Sequence, residues 1–336
     1  MVQITNPKRF LFTIIIVAAS ILGIVMFVLG SSDIRASGEF TLTEGHSATT
    51  VGRSLKEKGY ISGTFPWRLA VWRSDTNTSL KAGTYHLEKG ESLADVVSRM
   101  AKGEVVPDEL TITYPEGFTL KQIAARTASR GIGTEAEFIE AAKVRNFSPQ
   151  FAFLAELPPS QALEGYLFPD TYRVFADDKP EDVIKRMLGN FDKKITADLL
   201  QEISKTGHTL SETIIMASII EREVNRTQDL SKVADVLWKR YDSDAGLGAD
   251  ATIRYILDNW DKALTVKDLD IDSPYNTRRY RGLPPTAIGN PGLTAILAAM
   301  RADKTDFYYY LSAPSGETIF SKTNDEHNRN KAKYLR

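Results

Sequence analysis

The sequence predicts an α+β fold behind a single N-terminal membrane span. Three observations carry this. Residues 10–29 form one uncharged apolar run, FLFTIIIVAASILGIVMFVL. A short alternating stretch followed by glycine, a hydroxyl residue and an apolar anchor occurs three times before residue 125. Beyond residue 134, helical periodicity dominates until a strand pair near the C-terminus, so helices and strands segregate rather than alternate. At 336 residues the chain is long enough for more than one domain.

The apolar run comes first. Twenty residues at 1.5 Å each span a hydrocarbon core of roughly 30 Å. Lys8 and Arg9 precede it, and positive flanks stay cytoplasmic, so residues 1–9 are expected inside and the rest of the chain outside. A cleaved signal peptide would have a shorter apolar region, about 7–15 residues. Ile34-Arg35-Ala36 is also a poor cleavage site. A retained anchor over 10–29 is therefore expected, followed by a linker over 30–38, GSSDIRASG.

The three repeats begin at Phe40, Tyr85 and Leu110. Their glycines are Gly45, Gly90 and Gly117, and their hydroxyls are Ser47, Ser92 and Thr119. Alternation marks a strand. Glycine permits the positive φ of a tight strand-to-helix turn. Serine or threonine two residues later caps the free amides of a helix. Val51, Val96 and Ile123 are then placed to face the strand. The first two units, within 39–105, resemble a LysM module, on the turn-then-helix stretch KGESLADVV. That likeness implies binding of N-acetylated glycans; a generic capped βα turn is the other reading, and it is preferred for the third unit.

From 106 to 336 a second domain is expected. Residues 134–160 read as helix broken at Pro158-Pro159. One or two amphipathic helices follow over 180–203, then helical runs over 209–224, apolar all round and buried in its first half, and over 230–241. FYYYLSAPSGETIFS at 307–321 reads as a hairpin, and the polar tail as helix.

Composition narrows the chemistry. Net charge is −1, so nothing recruits nucleic acid electrostatically. There is no cysteine, and the four histidines are scattered, so neither a metal nor another cofactor is expected. The notable chemical feature is ASIIEREV at 217–224. Glu221 closes an apolar helix beside small residues, among them Ser218. Desolvation there disfavours the charged carboxylate, and a carboxylic acid still protonated near neutral pH can act as a general acid. The alternatives are an arginine partner in the core or an escape to solvent. Arg222 and Glu223 point elsewhere and are expected in solvent or ordinary ion pairs. LEGYLFPDTY (163–172) and SPYNTRRYRGLPPTAIGNPG (273–292) add aromatic, Asn, Gly and Pro-rich segments suited to sugar rings.

Taken in order, LEGYLFPDTY, ASIIERE, DATIRY, SPYNT…GLPP, NPG and FSKTNDEHN resemble the endolytic murein transglycosylases of the YceG-like family. The resemblance implies a lytic transglycosylase of the cytoplasmic (inner) membrane, with its catalytic domain in the periplasm, cutting nascent peptidoglycan strands. Peptidoglycan synthases and other elongation proteins are partners by the same analogy. It places the catalytic glutamate on Glu221. Asp250, Thr252, Tyr275 and Asn276 are expected at the cleft wall, and Glu164 either faces the cleft or pins its loop. The chain departs from the family pattern at Ala251, Arg278 and Thr286-Ala287, which puts substrate contacts in doubt more than the reaction. A non-catalytic glycan-binding scaffold and a water-using muramidase are the rival readings.

Overall fold

The computed structural model describes residues 33–74, 80–105, 109–224 and 226–335. The expected span over 10–29 lies outside them. Among the described residues no helix is long and apolar enough to cross a membrane. The chain divides into two compact units, Met1–Asp108 and Glu109–Arg336.

In the first unit, β1 (Gly38–Leu42) is followed by α1 (Ala48–Glu57), α2 (Thr64–Arg73), β2 (Gly83–Leu87) and α3 (Leu93–Lys102). β1 and β2 pair antiparallel, with Phe40 opposite Tyr85. The turn chemistry is as expected: Gly45 and Gly90 take positive φ, and the Ser47 and Ser92 side chains cap α1 and α3. Val51 and Val96 are fully buried. The helix α2 has no counterpart in the periodicity reading, because apolar residues surround it: Trp67 and Val71 are buried while Phe65 and Trp72 are exposed. Packing against α1 defines it. Trp67 Nε1 donates to the Ala48 carbonyl at 2.7 Å, and any Cβ at Gly52 would overlap the indole.

In the second unit, β3 (Glu109–Thr113) pairs antiparallel with β4 (Thr171–Phe175), Ile112 opposite Tyr172. Between them lie α4 (Leu120–Ala128), α5 (Glu135–Ala141) and α6 (Val144–Phe147). Thr119 and Gln122 form a reciprocal cap on α4. The helix expected over 134–160 is instead two short helices and a 3-10 turn at Ala152–Leu154. The break falls at Ala142–Lys143, well before the prolines. There the backbone turns aside to bond another segment: Val144 N–H donates to Gln161 O at 2.9 Å and Leu163 N–H to Ala142 O at 3.0 Å.

Then come α7 (Pro180–Lys194), α8 (Ala197–Thr206), α9 (Leu210–Glu223), α10 (Leu230–Asp242), α11 (Asp250–Leu257), α12 (Val266–Leu269) and α13 (Leu293–Met300). The C-terminal hairpin pairs β5 (Tyr309–Ser312) with β6 (Thr318–Ser321), and α14 (Asn324–Tyr334) closes the chain. α9 is the central helix. It packs against α8, α10, α11 and α13, which is why Thr213 through Ile220 are buried on every side. These small sheets and many helices form an α+β architecture, as expected.

Candidate active site

Three loops converge on the last turn of α9. The first is the turn after β3, Tyr114–Pro115–Glu116–Gly117–Phe118. The second is the 163–168 stretch, and the third is the run 286–292 entering α13. Asn290, fully buried, ties them together. Its amide nitrogen donates to Phe118 O and to Glu164 Oε1, both at 2.9 Å. Its amide oxygen accepts Gly165 N–H and Leu167 N–H, also at 2.9 Å. Its backbone exchanges bonds with Gly117 N–H (2.7 Å) and Phe118 O (2.8 Å). All the hydrogen-bonding capacity of one side chain is spent on fixing three backbone groups and the Glu164 carboxyl.

Glu221 projects from this turn, partly buried. Its Oε2 accepts the Gly292 N–H at 3.0 Å, the amide at the start of α13. Oε1 has no protein partner among the described residues and is not enclosed. Burial pushes this carboxyl above its ordinary range; the Gly292 N–H pulls it down, the Glu116 carboxylate pushes it up again and Arg222 lowers it. A carboxyl with one oxygen held and the other open, and with burial favouring its neutral form, has the form of a general acid.

Arg222 turns away from solvent. Its guanidinium lies 4.0 Å from the Trp260 ring centroid and donates to Gln122 Oε1 at 3.2 Å. Glu223 is not solvated either. It accepts the Ala251 N–H at 2.9 Å and the Tyr310 hydroxyl at 3.3 Å, joining α9 to the start of α11 and to β5. Both residues depart from the expectation of solvent or ordinary ion pairs, because α9 ends inside the unit rather than at its surface.

Glu164 both lines a cavity and pins a loop. It is 4% exposed. It accepts the Leu120 N–H at 2.8 Å, at the start of α4, and the Tyr255 hydroxyl at 3.2 Å, besides Asn290. Burial outweighs these donors and pushes its carboxyl up to about 8. The cavity beside it, about 410 Å³, is lined by Thr119, Glu164, Tyr255, Asp258, Ser273 and Tyr275 among others. Tyr255 and Tyr275 stand with ring centroids 5.2 Å apart, and the Tyr275 hydroxyl meets Thr286 Oγ1 at 2.7 Å. Glu221 is not in that lining. Of the two carboxyls Glu221 suits chemistry better, since protein donors occupy both oxygens of Glu164.

The remaining expected residues divide. Asp250 is half-exposed and ion-paired with Arg278, Nε to Oδ1 at 2.7 Å. Ser218 is buried; its hydroxyl donates to Ile215 O at 2.7 Å and accepts the Ile288 N–H at 3.0 Å. Thr252 donates to Ala249 O at 2.7 Å and meets Thr277 Oγ1 at 3.1 Å. Asn276 donates to Leu269 O and Ile271 O at 3.0 and 2.8 Å. These three hold backbone, and their polar atoms are already occupied. Ala287, at a departing position, packs on Gly165, where a Cβ would come within 2.6 Å of the Ala287 methyl. Glu116, Tyr255, Asn290 and Gly292 join the site without any mark in the periodicity, although the turn signals Pro-Glu-Gly and Asn-Pro-Gly lie at three of them. No group of three or more His, Cys, Asp or Glu that could hold a metal ion is found among the described residues.

The chain is similar to known proteins over most of its length. The chain is 31% identical over 315 residues to the endolytic murein transglycosylase of Bacillus subtilis (strain 168), covering 90% of this chain and 86% of that one. It is 30% identical over 319 residues to the endolytic murein transglycosylase of Streptococcus pneumoniae serotype 2, and spans 58% of that longer protein. The crystal structure of a YceG-like protein from Listeria monocytogenes superposes with a TM-score of 0.61 at 30% identity, covering 88% of this chain and all of that one. The YceG-like family profile matches residues 40–333, and with these likenesses the chain belongs to the YceG-like family.

Proposed function

We propose that the protein is a lytic transglycosylase that cuts within murein glycan strands, with Glu221 as its single acid and base. The observation that carries this is the Glu221 carboxyl itself: one oxygen held by Gly292 N–H, the other open, and the group pushed toward its neutral form. The relatives named endolytic murein transglycosylase support the same reading.

In this mechanism Glu221 gives its proton to the glycosidic oxygen between N-acetylmuramic acid and N-acetylglucosamine. The C1–O bond breaks through an oxocarbenium-like state. The carboxylate then takes the proton of the muramyl C6 hydroxyl, whose oxygen bonds to C1 and closes a 1,6-anhydro ring. Glu221 regains the proton it gave. The internal hydroxyl stands at high effective concentration and replaces water. Tyr275, Asp250 and the cavity beside Glu164 are the substrate-facing part of the cleft, while Ser218, Thr252 and Asn276 hold its loops.

The apolar run at 10–29 supports a single-pass anchor in the cytoplasmic membrane, with the enzyme on the outer side and its reach limited to newly made strands. The β-α-α-β order of the first unit supports a LysM-like, glycan-binding role. Peptidoglycan synthases are partners on the same reading.

The test is digestion of polymeric peptidoglycan by the full chain in detergent, with Glu221→Gln alongside and mass spectrometry of the new muramyl ends. Anhydro ends from the native chain, falling at least about 100-fold in the variant, are expected. Reducible ends would assign a muramidase. Glycan binding without cleavage by either protein would assign a scaffold.

A further inference from the structure

We propose that Glu116 is a positioning residue for this reaction: its carboxylate, seated against Gly292 and without a partner among the described residues, is a negative charge that disfavours a second one on Glu221 before bond cleavage. The inference rests on Glu221 being the acid.

The placement of Glu116 is built. Tyr114, two residues earlier, is buried and meets Thr127 Oγ1 at 2.7 Å. Gly117, one residue later, takes φ +75° and donates to Asn290 O, while Asn290 N–H donates back to Phe118 O. The turn is thereby locked to the 290–292 strand of backbone, whose last residue holds Glu221. Gly292 itself has φ −74°, open to any residue. The Glu116 carboxyl occupies the space where a Cβ at this position would stand. The two carboxyls thus approach Gly292 together: Glu221 through the amide hydrogen, Glu116 against the α-carbon.

Glu116 has no hydrogen bond or ion pair among the described residues. Other surface carboxylates near the site are partnered, Asp250 by Arg278 and Asp258 by Lys121. A carboxylate left bare beside a half-buried acid disfavours a second negative charge. The other groups facing Glu221 do not cancel it. The Gly292 amide is a single dipole. Arg222, on the same helix, is turned onto Trp260 and is shared with Glu164. Glu116 exchanges no proton in the reaction. Once Glu221 has given up its proton, the same charge makes it a stronger base toward the C6 hydroxyl.

The experiment measures anhydro-end formation by the full chain from pH 4 to 9, at low and high salt, for the native protein, Glu116→Gln, Glu116→Asp and Glu221→Gln. Activity requires protonated Glu221, so it falls as pH rises through that group's pKa. Glu116→Gln should move this alkaline limb down by about one pH unit, a roughly tenfold loss above it, with the acidic plateau within about twofold. Glu116→Asp keeps the charge and should keep the limb. Raising salt should shift the native limb toward that of Glu116→Gln and leave the variant unmoved, because the charge is exposed. An unmoved limb in Glu116→Gln, or an equal loss at every pH in a variant that melts like the native chain, overturns the proposal while an inactive Glu221→Gln leaves the acid assignment standing. An active Glu221→Gln overturns both.

Discussion

Burial pushes three carboxyls in the second unit upward, Glu164, Glu221 and Glu223, and the surroundings of the first two separate their tasks. Glu164 is enclosed, with Leu120 N–H, Asn290 Nδ2 and Tyr255 O–H on its oxygens. Glu221 keeps one oxygen open. The enclosed group makes a prediction about stability rather than rate. Its folded value of about 8 lies above the ordinary 4.5. Between these values the folded chain holds a proton that the unfolded chain has lost, so rising pH favours unfolding. The contribution is full below the unfolded value and is lost as pH rises through the folded one. Glu164→Gln should therefore flatten the decline of stability between pH 5 and 8, by about 2–4 kcal/mol relative to the native chain. Denaturant titrations at several pH values measure this. Parallel curves for the two proteins would show that Glu164 is ionised in the fold.

α9 shows how a helix can serve as core and as active-site wall at once. Its Thr209–Glu212 cap sets the start, with Thr209 Oγ1 accepting the Glu212 N–H at 3.1 Å. Its buried middle anchors the neighbouring helices, and Ser218 links it to the 286–292 loop through the Ile288 N–H. Removing that hydroxyl leaves a buried amide without a partner, so Ser218→Ala should cost about 1–3 kcal/mol of stability. Its rate of anhydro-end formation at temperatures well below melting should stay within about threefold. A large loss of rate in a stable Ser218→Ala protein would instead assign the hydroxyl to the substrate. The capped turn at Gly117-Phe118-Thr119 was readable from residue types alone, and so was the apolar approach to Glu221. The fragmentation of 134–160 was not, because the bonds that draw Val144 and Leu163 together join stretches some twenty residues apart.

The described residues form two hydrophobic cores with no residue in common. One is centred on Trp67, Tyr85 and Met100; the other runs from Ile112 to Ala299 around α9. Each is large enough to stand as a domain core. Residues 109–336 expressed alone should unfold in one cooperative transition, followed by circular dichroism on heating, and should keep Glu221-dependent cleavage. Gradual melting of that fragment would mean that its fold depends on the first unit.

Much of this protein is local, and the local part was legible. Three glycine-then-hydroxyl turns and the apolar run into Glu221 each follow from backbone geometry and the hydrophobic effect within a few residues. Family membership was legible too, since it rests on the order of short motifs. The meeting of Glu116, Glu164, Glu221, Tyr255 and Asn290 was not legible, because they are separated by up to 174 residues of chain and brought together by α9 packing and by the hydrogen bonds of Asn290. A pattern in sequence reports which face of an element is buried. Which other element covers that face, and therefore which carboxyl keeps its proton, is settled by packing and by the desolvation that packing imposes.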